Sequence, residues 1–322
     1  MDTLRAMKVF ARVVDEGSLA GAARALDLAP AVVTRLVAEL EAHLGARLLN
    51  RTTRKLALTD VGEAYLDSAR RILAEVEEAE ALAGAAVSEA RGHLRVLAPP
   101  AVAVHQLAKH LPEFHRRHPQ VTIELHAPGP VEAVDENFDI TLMAGRDAPD
   151  GGFVARLLAL TEVITCAAPE YLDARGRPIH PAEMAQHDVL IPPLSEIQRG
   201  VRFVHGASGE AFIATPDRRC VLSTTHTDTN YAAALAGLGI AALPSFVIDD
   251  ALREGALERV LPGWRLFSSQ LWIGMPSRRY VPARTRALWD YLLEVFGGEA
   301  RDPWLAAAGC ETLAGPPGAA CS

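Results

Sequence analysis

The sequence predicts three parts in series: a small all-α unit closed by a β-hairpin, a long solitary helix, and an α/β domain of two lobes. Three observations carry this expectation. A proline interrupts an otherwise continuous amphipathic run between residues 22 and 41, apolar residues recur at heptad spacing from Tyr65, and beyond Gly92 short β-rich runs alternate with helical ones.

The interrupted run reads AARALDLAPAVVTRLVAELE. Proline lacks an amide proton and its ring clashes with the carbonyl four residues back, so Pro30 belongs at a first helical position. The run is therefore two helices, one from about Ser18 as N-cap to Leu26, the next from Pro30 to Leu44, stopped by Gly45. Ahead of them, Thr3 to Asp15 offers Leu4, Met7, Val9, Phe10 and Val13 to a core. Behind them, Arg51-Thr52-Thr53-Arg54-Lys55 lies between Leu48, Leu49 and the alternating Leu56, Leu58, the pattern of a short hairpin with a basic tip. Singly, the basic cluster reads as solvated surface and the helices as any small all-α domain. Their order is more specific: it is that of a winged helix-turn-helix, whose second corner helix enters the major groove of double-stranded DNA while the wing grips the backbone. Pro30 then aims the free amides and positive dipole end of the helix at phosphates, and Thr34 and Arg35 reach base edges or phosphates one turn on. The candidate DNA-contacting residues are Ser18, Ala29, Pro30, Ala31, Thr34, Arg35, Arg51, Thr52, Thr53 and Arg54.

The charge distribution agrees. The 322 residues carry a net charge of −8, but residues 1–60 hold nine basic and seven acidic groups while the remaining 262 are net −10. No apolar run approaches the roughly 18 residues of a membrane helix. The N-terminus carries charges at helical spacing without an apolar core and small-residue cleavage site, so a cytoplasmic protein with no membrane partner is expected. Cys166, Cys220, Cys310 and Cys321 form no close pair, which suits a reducing compartment and argues against a zinc site; no metal or cofactor is expected.

Thr59 or Asp60 caps a helix expected to run to about Arg91. Tyr65, Ala69, Ile72, Val76, Ala79 and Ala83 fall on one heptad seam, continued by Ala86. A lone surface helix shows the same periodicity. However, about 30 residues at 1.5 Å each outreach one small domain, and a second copy would cover the seam.

The stretches MDTLRAMKVFARVVDEGSLAGAARAL and VTRLVAELEAHLGARLLNRTTRKLALTDVGEAY make residues 1 to about 90 resemble the N-terminal part of a LysR-type transcriptional regulator. The family usually begins its recognition helix with Ser-Gln-Pro or Ser-Gln-Ser where this chain has Ala29-Pro30-Ala31, so the adenine-reading glutamine and the hydroxyl cap are missing. Thr34 stands where the family commonly has serine, and Arg35 matches its arginine. The resemblance implies a linker helix that dimerises, dimers that assemble into a tetramer, and RNA polymerase as a candidate partner.

From Gly92 the expected order is a strand at His93 to Ala98, a helix at Val102 to His118, strands at Val121 to Leu125 and Phe138 to Met143, then a second lobe with a strand at Val163 to Ala167, a helix at Pro169 to Ala174 and strands near Val189 to Ile191 and Arg219 to Leu222. A helix at Asn230 to Ala236, a returning strand at Leu271 to Met275 and a closing helix at Ala283 to Phe296 complete it. The boundaries are 1–59 for the winged domain, 60–91 for the linker, 92–300 for the bilobed domain (lobe I about 92–161 and 268–300, lobe II about 162–267) and 301–322 for a disordered tail rich in Ala, Gly and Pro. Two α/β lobes joined by crossing strands resemble the periplasmic-binding-protein fold, the effector domain of the LysR family. A small effector, anionic or polar-aromatic, is then expected between the lobes at Pro99, Pro100, Ala101, Val102, Thr227, Asp228 and Thr229, where strand ends meet helix starts. The threonines read equally well as ordinary helix caps.

Signals of catalysis are weak. Gly237-Leu-Gly239-Ile-Ala-Ala242 spells a dinucleotide-binding word, but a helix precedes it and a strand follows, the reverse of what that chemistry needs. His105, His110, His115 and His118 scatter around one helix and read as surface groups. A ligand-responsive DNA-binding regulator accounts for corner, wing, seam and lobes together; a solute-binding protein accounts for the lobes alone, and an enzyme lacks a recognisable site.

Overall fold

The computed structural model describes residues 2–51, 56–83, 90–193, 200–215, 220–276 and 281–312. The chain forms two compact units, the first holding residues 1–89 and the second nearly all of the rest.

In the first unit, α1 (Thr3–Asp15), α2 (Leu19–Ala25) and α3 (Pro30–Leu44) precede a two-stranded ribbon of β1 (Leu49–Arg51) and β2 (Leu56–Leu58), and α4 (Asp60–Ala83) follows. The predicted caps are in place. Ser18 Oγ accepts from Gly21 N at 3.0 Å, and Gly45 ends α3 in the left-handed region. Asp27, also left-handed at φ 52°, turns the chain between α2 and α3, where Leu28 N donates to Ala23 O. One core joins the pieces: Phe10, Val13, Val37, Leu40, Leu48 and Leu49 are fully or almost fully buried. Glu41 Oε1 accepts from the amides of Leu48 and Leu49 at 2.8 and 3.1 Å, tying α3 to the wing. Thr59, not Asp60, caps α4, its Oγ1 accepting from Gly62 N at 2.9 Å and donating to Arg47 O at 2.7 Å. Helix α4 is described to Ala83, and Ala90 and Arg91 are no longer helical, so the helix stops short of the expected Arg91; Ala86 lies outside the described residues.

The second unit is built on one long sheet running through both lobes. Lobe I contributes β3 (Gly92–Leu97), β4 (Val121–His126) and β5 (Ile140–Gly145), with β3 parallel to both neighbours. Two antiparallel strands cross between the lobes: β6 (Phe153–Ala167) and β14 (Phe267–Pro276), registered from Phe153↔Pro276 to Val163↔Phe267. Lobe II adds β7 (Val189–Leu190), β10 (Cys220–Leu222) and β11 (Ile240–Pro244), while β12 (Glu258–Val260) pairs with β6. A separate three-stranded sheet of β8 (Val201–His205), β9 (Ala211–Ala214) and β13 (Trp264–Arg265) completes this lobe. On lobe I the helix after β3 starts as α5 (Pro100–Val102), widens into a π-turn (Ala103–Leu107) and continues as α6 (Ala108–Arg117). Helices α7 (Pro169–Arg175), α8 (Thr227–Leu235) and α9 (Ser245–Arg253) belong to lobe II. The closing helix is α10 (Ala283–Phe296), followed by α11 (Pro303–Ala307).

Two expectations are corrected here. Helix α8 begins at Thr227, three residues before the expected Asn230, because the His226 ring caps it by accepting from Thr229 N. The disordered tail is also wrong as far as Thr312. Asp302 is 1% exposed: its Oδ2 accepts from Glu162 N (2.7 Å) and Ser245 Oγ (2.6 Å), and its Oδ1 from the amides of Trp304 and Leu305 (both 3.0 Å). Trp304 donates to Gln106 Oε1 at 2.8 Å and packs against Phe246 and Phe296. Composition concealed a buried cap and an aromatic anchor; residues 313–322 lie outside the described residues.

Candidate functional site

The outer face of α3 follows from its inner one. Val33, Leu36, Val37 and Leu40 face the core, so helical periodicity leaves Ala31, Arg35, Ala38 and Glu39 exposed. Ala29 and Pro30 are exposed at the start, and the N-cap has no side-chain hydrogen bond, which leaves the first-turn amides open to an acceptor from outside. Thr34 does not project freely, since its hydroxyl donates to Pro30 O at 3.0 Å. Arg35 is the cation of this face, 68% exposed and only loosely paired with Glu39 at 3.6 Å. Ser18 is occupied as the cap of α2. Thr52, Thr53, Arg54 and the side chain of Arg51 lie outside the described residues.

The heptad seam divides. Tyr65 packs against Phe10 with ring centroids 5.9 Å apart and so joins the core of its own unit, and Ala69 is fully buried within the single chain. Ile72 is 39% exposed and Val76 half-buried; the side chains of Ala79 and Ala83 lie outside the described residues.

In the second unit the two predicted segments approach the same place. Pro99 precedes α5 with Pro100, Ala101 and Val102 as its first turn, and Thr227, Asp228 and Thr229 form the first turn of α8. They are joined by a residue that sequence reading had assigned to the surface. His105 Nε2 lies 2.7 Å from Asp228 Oδ1 and its ring meets Tyr231 edge-on at 5.1 Å, a bridge from lobe I to lobe II. Its partner is 123 positions away, so local spacing holds no trace of it. Val102 is buried; Thr229 is exposed, with its Oγ1 2.9 Å from His226 Nδ1. Burial pushes the half-buried His110 below the ordinary histidine range, and Cys166, fully buried, is pushed up to about 12 and is no nucleophile. Among the described residues there is no cluster of metal-ligating side chains, and no helix is long and apolar enough to cross a membrane.

Comparison with known proteins finds two family regions in the chain. Residues 4–63 match the family of bacterial regulatory helix-turn-helix proteins of the lysR type, and residues 88–297 match the LysR substrate binding domain. A probable HTH-type transcriptional regulator, LtrA of Klebsiella pneumoniae, is 32% identical over 298 residues, covering 91% of this chain and 95% of the relative. The structure of CrgA, a LysR-type regulator from Neisseria meningitidis, superposes with a TM-score of 0.57 at 31% identity, covering 91% of this chain and 98% of that one. The full-length virulence activator AphB of Vibrio cholerae shares the fold, with a TM-score of 0.56 at 24% identity over 91% and 99% of the two chains. With both family regions present in order over most of its length, the chain belongs to the LysR family of transcriptional regulators, as a DNA-binding protein that self-associates and carries an effector-binding domain.

Proposed function

We propose that the protein acts in the cytoplasm as a dimer, or as a tetramer built of two dimers, on promoter DNA, and that a small polar-aromatic molecule between the lobes sets its DNA-bound arrangement. The observation that carries the effector site is the His105–Asp228 bridge beside the starts of α5 and α8. An effector that inserts there exchanges one interlobe contact for another, and differential binding to two lobe arrangements is what couples ligand to DNA. Of the two ligand chemistries left open by the sequence, the aromatic one is favoured. The Asp228 carboxylate already occupies the first turn of α8, where a second anion would be repelled, whereas the rings of His105 and Tyr231 offer faces and edges. Pro99 to Val102 and Thr227 to Thr229 line this place, with the exposed Thr229 hydroxyl as the polar contact.

Calorimetry with a compound that alters expression of the target genes tests the site: Thr229→Val is expected to weaken binding at least tenfold with little change in the thermal midpoint of the unliganded chain. Undiminished binding removes Thr229 from the site.

Pairing is assigned to the outer part of the seam, Ile72, Val76, Ala79 and Ala83, because Tyr65 is spent on the core and Ala69 is already buried within one chain. Ile72→Asp with Val76→Asp places like charges across a paired helix and is expected to dissociate the dimer in light scattering while both units stay folded. A variant that pairs through this helix as before would show the seam to be elsewhere.

A further inference from the structure

We propose that lobe II holds an apolar binding compartment of its own, separate from the interlobe segments, which accepts a neutral molecule of one aromatic ring or a short alkyl chain. A cavity of about 200 Å³ lies between the main sheet and the β8–β9 hairpin. Its floor includes Val189, Leu190, Ala241 and Ala242, and Phe203 and Phe212 form much of the roof. Among the described residues, every one that lines it falls between Thr165 and Leu266, and none belongs to lobe I, to Pro99–Val102 or to Thr227–Thr229.

The local sequence explains why the space is open. Position 242 of the floor, on the same face of its strand as Ile240, and position 214 of the roof are alanines, so the two layers meet there without side chains large enough to close the gap. The chemistry of the lining decides what enters. Among the described residues, Thr165 and Thr215 supply its polar side chains, and the Thr165 hydroxyl already donates to Val260 O at 2.8 Å. A water needs two to four polar partners to settle in a cavity, and a charge left without partners pays its full desolvation cost. A dry cavity of roughly 150 Å³ lined by Leu, Ile and Phe is known to admit benzene, so this volume suits a ring with a small substituent. There is also a route in. Among the described residues the hairpin is hydrogen-bonded to the short strand β13 and not to the main sheet, so side-chain packing covers the cavity there, with Ile213, 62% exposed, at its rim.

Methyl NMR on the full-length chain tests this with toluene as the probe and benzoate, the same ring bearing a charge, as its counterpart. Toluene is expected to shift the methyl signals of Met184, Ile191 and Ile240 saturably, and benzoate at equal concentration to leave them in place. Ala242→Phe, which fills the floor, is expected to weaken toluene binding at least tenfold; Ala214→Leu narrows the same space from the roof and replaces it if the first variant fails to fold. Unmoved methyls, equal shifts with benzoate, or native toluene affinity in a folded filling variant would each overturn the proposal.

Discussion

Gly62→Ala is expected to cost the winged unit about 3 kcal/mol or more and to abolish operator binding with it. A Cβ at this position would stand 2.1 Å from the carbonyl oxygen of Leu48 and 2.9 Å from its carbon. Neither atom can yield cheaply. The Leu48 carbonyl accepts from Thr59 N at 3.0 Å, and the Leu48 amide is held by Glu41, so relief would separate α4 from the wing. Gly17 supplies the contrast. A Cβ there meets nothing within 4 Å, and only its φ of +63° opposes substitution, a penalty of about 1 kcal/mol for alanine. Urea unfolding of both variants, followed by far-UV circular dichroism, compares the two costs. A Gly62→Ala loss no larger than that of Gly17→Ala would contradict the close approach of α4 to the wing.

Asp302→Ala should cost the second unit about 3–5 kcal/mol, because it strands four donors: the amides of Glu162, Trp304 and Leu305 and the Ser245 hydroxyl. The exposed neighbour Arg301→Ala is expected to stay within about 0.5 kcal/mol. Burial pushes the Asp302 carboxyl above the ordinary aspartate range, against the pull of its hydrogen bonds. A folded value raised in this way contributes stability that is full below the unfolded pKa of about 4 and is lost as pH rises through the folded value. The gap between native and variant chains should therefore widen as pH falls from 7 towards about 4. Equal denaturant midpoints for Asp302→Ala and Arg301→Ala would show that the segment after α10 does not hold the lobes.

Local chemistry made the first unit legible. Pro30, Ser18 and Gly45 each specify a helix boundary through the chemistry of one residue and its immediate neighbours, and all three stand at the boundaries expected of them. The crossing strands were half visible: Val163 to Ala167 reads as a strand, but the leading half of β6 mixes Arg156 and Glu162 into apolar residues, and only its pairing with β14 makes it one strand of fifteen residues. Helix α9 and the β8–β9 hairpin went unread because their order comes from packing on the rest of lobe II. The tail misled for a related reason, since Ala, Gly and Pro say nothing of a carboxylate buried among donors from β6 and α9. Of the proposed interlobe site, the two helices were legible, each beginning two or three residues earlier than its sequence suggests, and the His105–Asp228 bridge was not, because it exists only once two lobes are folded together.

The most direct measurement of the central claim is a fluorescence-anisotropy titration of the full chain against the DNA upstream of its own gene and against a scrambled duplex, over a range of salt. Arg35 is the exposed cation of the recognition face, so Arg35→Ala is expected to lose about 1–3 kcal/mol on the upstream sequence and much less on the scrambled one. Arg54→Ala should weaken both duplexes alike and lower the salt slope by about 1, as the loss of a phosphate contact does. Native affinity for the upstream DNA in both variants would contradict the assignment of α3 and the wing as the DNA-binding surface.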